Sequence, residues 1–279
     1  MFNFLDALIK HKIRNVELSG GSEFIGDLES ELKTYQEQHN IKFLLHNYFP
    51  PPKNHFVLNI ASENERERER SISFAKASIQ LANKLGICLY TIHAGYFCNL
   101  VSDENNEYFL PTSECGWEKE VSLKHFESSV EELCEFAQLY DIKFCVENLF
   151  PASFSSNFSL LCTEEEICWA LDRFLQYPNF GLLLDLGHAK ISSHLLGFDL
   201  ETFLTRIVEK WRQRILEIHI SENDGLKDMH LLPSKDSWML KFIKEKNLTS
   251  IPISIEARNG KFAEIVDFYF HSENILGAH

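Results

Sequence analysis

The chain is short of cations. Lys and Arg total 27 against 41 Asp and Glu, which leaves a net charge of −14. That balance disfavours a partner held through its phosphate backbone, which needs clustered Lys and Arg. It does not exclude nucleic acid, because bound metal ions would offset local negative charge. Long apolar runs are missing too. None approaches the ~18 residues needed to cross a bilayer, so no membrane partner is expected. The apolar opening, residues 1–9, is short and interrupted by Asp6. No signal peptide is legible ahead of the first helix. Of seven cysteines none forms a CxxC pair, and the count is odd. They are expected as reduced thiols of a cytoplasmic protein, several of them filling the core.

What is present is a globular composition, 44% hydrophobic and 24% charged. The 279 residues suit a single domain, and the length is ordinary for an eight-fold barrel, which takes ~250 residues. Read in order, the chain alternates. A helix over 2–11 is followed by a strand at 15–18 and a helix over 28–40. Further strands fall at 41–46, 87–93, 142–147, 180–185, 215–219 and 251–256. Helices are expected from about 64 to 85, 122 to 140, 164 to 175, 200 to 212, 238 to 246 and 262 to 270. Thr163-x-x-Glu166 reads as a capping box for the third of these. A long loop over 94–118 carries Tyr96, Phe97, Tyr108, Phe109 and Trp117, as a lid or as a self-packed insertion.

Near-continuous apolar strands alternating with helices predict an α/β fold with a parallel sheet. Polar residues close nearly every strand. In a (β/α)8 TIM barrel those carboxyl ends share one mouth, where active sites lie. Only seven strands are legible, so the first unit is expected to be incomplete or irregular. The strand-end residues are His46, His93, Glu147, Asp185, His188, His219, Asp228, His230 and Glu256. Imidazoles and carboxylates converging on one point are the donor set of a divalent metal site, Mn or Zn. Glu17, Trp117 and Arg258 are candidates at the substrate, each with an alternative: Glu17 as a hydrogen-bonding group or a salt-bridged barrel residue, Trp117 lining the mouth or packing its own loop, Arg258 on a phosphate or, the commoner case, in a surface ion pair.

The chain resembles the xylose-isomerase-like TIM-barrel superfamily, which joins sugar isomerases and epimerases with apurinic endonucleases of the endonuclease IV type. The resemblance runs from Asn15 onward. It is carried by Val16-Glu17-Leu18, the His46 strand, Ile92-His93-Ala94-Gly95, Val146-Glu147-Asn148, Asp185-Leu186-Gly187-His188-Ala189, Ile218-His219-Ile220-Ser221 and Ile255-Glu256. The epimerase branch implies one divalent ion, often Mn, between Glu147, Asp185, His219 and Glu256. There Glu147 and Glu256 would pass a proton on opposite sides of a sugar or sugar phosphate, through a metal-stabilised enediolate, and His188 would bind a substrate oxygen. The arginine that some epimerases carry six residues after the metal histidine is absent, because Gly225 stands there. The endonuclease branch implies three Zn ions on all nine residues and phosphodiester hydrolysis. The stretches after Glu147 and His230 depart from that branch, since Leu149-Phe150-Pro151 and Leu231-Leu232-Pro233-Ser234 stand where it has Gly-containing segments. The expectation is therefore a metal-dependent sugar or sugar-phosphate isomerase or epimerase using one to three ions. The alternatives are a zinc phosphodiesterase and a non-catalytic barrel that retains the metal. The oligomeric state is left open.

Overall fold

A computed structural model describes residues 1–21, 24–102, 109–112, 118–152 and 157–277. They form two compact units, one of Met1–Val146 and Gln176–Phe180, the other of Glu147–Leu175 and Gly181–His279.

The first unit runs α1 (Phe2–Lys10), β1 (Asn15–Leu18), α2 (Leu28–His39), β2 (Lys42–His46), α3 (Glu65–Lys84), β3 (Leu89–His93), β4 (Leu100–Ser102), β5 (Phe109–Pro111) and α4 (Lys119–Gln138). It ends in β6 (Lys143–Glu147), whose last residue belongs to the second unit. The order is β1–β2–β3–β6. The β1–β2 and β2–β3 pairs are parallel, and His46 lies level with Thr91. α3 starts where it does because the Asn64 side chain accepts from the backbone N–H of Arg66 and Glu67, satisfying two donors of the first turn. The expected loop over 94–118 contains a small antiparallel hairpin, β4 with β5. Trp117 and Tyr108 lie outside the described residues.

The second unit contains α5 (Glu164–Arg173), β7 (Phe180–Asp185, of which Phe180 belongs to the first unit), α6 (Leu186–Leu196), α7 (Leu200–Trp211), β8 (Ile215–Ile220), α8 (Trp238–Glu245), β9 (Ile253–Ile255) and α9 (Phe262–Leu276). Its strands run β7–β8–β9, all parallel. Every residue of β7 is buried, as a strand covered on both faces requires. Each of Leu182, Leu183 and Leu184, at most 1% exposed, contributes about 1.5–3 kcal/mol by leaving water. Gly181 lets β7 approach β8. A Cβ there would lie 2.5 Å from Leu216 Cδ1 and 2.7 Å from the Arg214 carbonyl oxygen. The expected capping box forms with a shifted return bond. Thr163 Oγ1 accepts from Glu166 N, while the Glu166 carboxylate accepts from Cys162 N, one residue before the cap.

Register sets the level of the functional residues. Asp185 pairs with His219 across β7–β8, and His219 with Ser254 across β8–β9. Glu256 follows β9 directly, its N–H donating to the Ile220 carbonyl at 3.1 Å. Two features were not foreseen, the direct passage from β7 into α6 and the disulfide at Cys98, while the count of seven strands was expected. α6 follows β7 with no loop between them. Seven parallel strands occur among the described residues, and none of those residues forms a strand ahead of α1. Cys98 is disulfide-bonded, which corrects the expectation that all cysteines are reduced; Cys88, Cys134, Cys145, Cys162 and Cys168 are free thiols. Among the described residues no helix is long and apolar enough to cross a membrane.

Candidate metal centre

Four side chains of the second unit meet at one point. Glu147, Asp185, His219 and Glu256 each offer a ligand atom, and these atoms lie within 4.8 Å of one another. His219 Nδ1 stands 3.4 Å from Glu256 Oε2, 3.9 Å from Glu147 Oε1 and 3.9 Å from Asp185 Oδ2. On its other side Nε2 faces Glu217 Oε1 at 3.9 Å. With the ring proton on Nε2, the Nδ1 lone pair faces three carboxylates. Glu217 in turn accepts from the Ser254 hydroxyl. It is fully buried and was not anticipated. The signal was present, because residues 217 and 219 of a strand share one face.

Asp185 does three things. It ends β7, it caps α6 by accepting from His188 N at 2.6 Å, and it points its second oxygen, Oδ2, into the cluster. Asn148 clamps its backbone from both sides, donating to the Asp185 carbonyl at 3.0 Å and accepting from its N–H at 2.8 Å. Burial pushes the Asp185 carboxyl up to about 7, with the charges of Glu147 and Glu256 adding to it and those of His188 and His219 opposing. Asp185 Oδ2 is buried without a hydrogen bond.

Three further expected residues form a chain beside this group. His188 Nδ1 lies 2.9 Å from the Asn148 carbonyl oxygen and 3.1 Å from Glu147 Oε1, so it carries a proton. Its Nε2 faces Asp228 Oδ2 at 3.5 Å. The same oxygen lies 2.8 Å from His230 Nε2, and His230 Nδ1 lies 3.7 Å from Glu256 Oε2. Burial would lower the His188 pKa, but the charges of Asp185 and Glu147 outweigh it and hold the group well above its ordinary value. Burial likewise opposes ionisation of Asp228, yet the hydrogen bonds from His188 and His230 keep its carboxyl far below the usual range. His230 adopts φ 44°, a left-handed conformation costing about 1–3 kcal/mol that persists only when its surroundings impose it.

Its surroundings are a closed loop. Glu222 and Leu231 exchange both backbone hydrogen bonds, at 2.8 and 3.0 Å. Lys190 of α6 donates to Glu222 Oε1 and to the Asn223 carbonyl. Asn223 Nδ2 donates to the Gly187 carbonyl, and its Oδ1 accepts from Gly225 N. Gly187 is required for this approach, since a Cβ there would lie 2.7 Å from Ser221 Oγ. The loop that presents Asp228 and His230 is thus fastened to the helix that presents His188.

His46, His93 and the half-buried Glu17 belong to the first unit. There His46 Nδ1 meets Thr91 Oγ1 at 2.8 Å, and the two imidazole centroids are 5.7 Å apart. Both nitrogens of His93 are hydrogen-bonded, Nε2 with Asn47 Nδ2 at 3.1 Å and Nδ1 with the Tyr96 hydroxyl at 3.2 Å. Asn47, also unforeseen, has φ 47° and its carbonyl accepts from the Tyr90 hydroxyl. Arg258 is exposed.

Three carboxylates and one imidazole, with a carboxyl raised by burial and like charge, form a donor set that fits a divalent cation such as Mn or Zn. A cation would neutralise the charge that the protein alone leaves in excess.

A profile of the xylose isomerase-like TIM barrel matches residues 7–273. The chain belongs to that family. Its α/β barrel fold is shared with a D-tagatose 3-epimerase-like protein, at a TM-score of 0.74 and 20% identity over 99% of this chain and 94% of that one. It is shared also with 3-keto-D-glucoside 4-epimerase from E. coli, at 0.69 and 11% over 97% and 92%. In sequence the chain is 26% identical to the uncharacterised protein MJ1311 of Methanocaldococcus jannaschii over 72% of this chain and 61% of that protein. It is 22% identical to fructoselysine 3-epimerase of Shigella flexneri over 69% and 59%. The matched part thus spans less than two thirds of either of these relatives.

Proposed function

We propose that this family member is a divalent-metal-dependent isomerase or epimerase of sugars or sugar phosphates, acting in the cytoplasm. The observation that carries the reading is the pair Glu147 and Glu256, both within 4 Å of the same His219 nitrogen, with Asp185 completing a four-residue ligand set. The named activities of two relatives support it, because 3-keto-D-glucoside 4-epimerase and fructoselysine 3-epimerase are sugar epimerases.

A bound divalent ion would supply Lewis-acid polarisation of the substrate's oxygens. Glu147, Asp185, His219 and Glu256 would hold it. One of the two glutamates takes the proton from the carbon beside the carbonyl, and the electron pair left behind delocalises onto the carbonyl oxygen. The other glutamate returns a proton to the opposite face or to the neighbouring carbon. His188, anchored through Nδ1 and steered by Asp228, directs its Nε2 proton at a substrate oxygen. Metal content per chain, followed by turnover of a ketose and aldose panel in D2O, tests this. About one ion per chain and deuterium at the reacting carbon are expected. Turnover without deuterium uptake, or no turnover by the loaded protein, would overturn it.

A second reading, a three-zinc phosphodiesterase of the apurinic-endonuclease type, is favoured by one observation. Asp228 Oδ1 and His230 Nδ1 are buried without a hydrogen bond, as ligands awaiting a further ion would be. Against it stand the net charge of −14 and the engagement of both His93 nitrogens. About three Zn per chain with cleavage of abasic DNA would establish it. Bound metal with no turnover would leave the non-catalytic barrel that retains the metal.

A further inference from the structure

We infer that Arg258 makes this site select sugars bearing an oxyanion, a phosphate ester or a carboxylate, at the end remote from the reacting carbons. The inference rests on the isomerase reading above. Arg258 follows Glu256 by two residues, so their Cα atoms are at most about 7 Å apart. Its backbone is fixed. Arg258 N donates to the His230 carbonyl at 3.0 Å, and Asn259 Nδ2 donates to the Met229 carbonyl at 3.0 Å. These bonds fasten it to the limb of the loop that carries Asp228 and His230.

The guanidinium itself is exposed and makes no ion pair or hydrogen bond with any described residue. Its charge nevertheless reaches His230. Arg258 stands in a chain with 14 more acidic than basic residues. Lys190, Arg206, Lys210 and Lys235 of the same unit each have a carboxylate partner. The interior of the site is acidic, with Glu147, Asp185, Glu217, Asp228 and Glu256 set against the imidazoles of His188, His219 and His230, and at its centre an oxyanion meets like charge. At its edge Arg258 offers a planar fork of donors matched to phosphate or carboxylate. A substrate with its carbonyl end at the carboxylates and its oxyanion at Arg258 satisfies both regions.

The test compares ribulose 5-phosphate, a keto-uronate and free ribulose on the metal-loaded full chain, as wild type, R258Q and R258K. Steady-state kinetics are read alongside calorimetric binding with and without metal. The wild type should favour at least one oxyanion-bearing ketose over free ribulose. R258Q should cut that preference about 10- to 100-fold, the loss expected for a hydrogen-bonded charge pair, through KM and through calorimetric affinity. R258K should keep part of it, and whichever of phosphate or uronate is preferred names the source of the oxyanion. A wild type indifferent to the oxyanion, or an R258Q that weakens all three sugars equally, overturns the inference while leaving the isomerase reading in place. Binding of an oxyanion-bearing ketose that R258Q weakens, without turnover, does the reverse. Neither binding nor turnover of any of the three overturns both.

Discussion

His93 in the first unit and His219 in the second both close a parallel segment at a polar strand end, yet they face different company. His93 is bracketed by neutral partners, an asparagine amide and a tyrosine hydroxyl. His219 presents one nitrogen to three carboxylates and the other to a fourth. Neutral hydrogen bonds complete an imidazole without any further group. Carboxylates crowded around one leave an excess of negative charge that burial makes expensive. Similar sequence signatures therefore end in one imidazole hydrogen-bonded to neutral groups and another faced by carboxylates.

The largest effect expected from this contrast is on turnover. Glu147→Gln keeps the shape of the side chain and removes its charge and basicity. It should lower kcat by about 10²- to 10⁴-fold while circular dichroism shows a folded chain. A loss smaller than tenfold would mean that the carboxylate is not the proton carrier, and the distinction between the two units would lose its chemical content.

A second test uses pH and the ion together. The folded pKa of Asp185 is raised to about 7 by burial, against an unfolded value of about 3.9. Between those values the folded state holds the extra proton, so the metal-free protein loses stability as pH rises through that window and levels off above it. His188, also raised, acts in the same direction as pH climbs through its folded pKa. Asp228, depressed by its two histidines, loses its contribution only as pH falls below about 4. A divalent ion must displace the Asp185 proton, so its apparent affinity should increase up to about pH 7. At a hundredfold excess over Kd the ion adds ~2.7 kcal/mol, or roughly 5–10 °C in Tm for a chain of this size. Scanning calorimetry from pH 5 to 8, with and without Mn, checks both. A metal-free curve that gains stability from pH 5 to 7 would contradict the crowded-carboxylate picture.

Much of this was legible because strands of a parallel sheet betray themselves by continuous apolar runs. β1 and β7 occur at the expected residues, Asn15–Leu18 and Phe180–Asp185. The tetrad was legible because each of its members closes a strand or lies at its carboxyl end. α6 was not, for a physical reason. Eight of its eleven residues are buried, so its sequence lacks the one-sided stripe that marks a surface helix. It also starts at Asp185 with no loop between. The partners that orient the site, Asn148, Asn223 and Asn47, were illegible because their bonds go to backbone groups or side chains distant in sequence. The neutral partners of His93, Asn47 and Tyr96, escaped the sequence because a histidine at a strand end looks the same whether a cation or an amide will meet it.

The smallest expected effect sharpens that last point. His93→Gln retains a donor and an acceptor for Asn47 and Tyr96, so the substitution should cost about 0.5–1.5 kcal/mol of stability, the net worth of an imperfectly replaced hydrogen bond. Metal bound per chain should be unchanged. The affinity for the ion should fall by less than about tenfold, below what losing even a group hydrogen-bonded to a ligand costs. Elemental analysis and metal titration of the variant decide it. If the variant instead binds one ion fewer than the wild type, the Asn47 bond at 3.1 Å is exchanged for a metal bond when the ion enters. His93 would then belong with the carboxylates of Glu147 and its neighbours in function, and the three-ion phosphodiesterase would become the better account of the nine metal-type side chains at and beyond the strand ends.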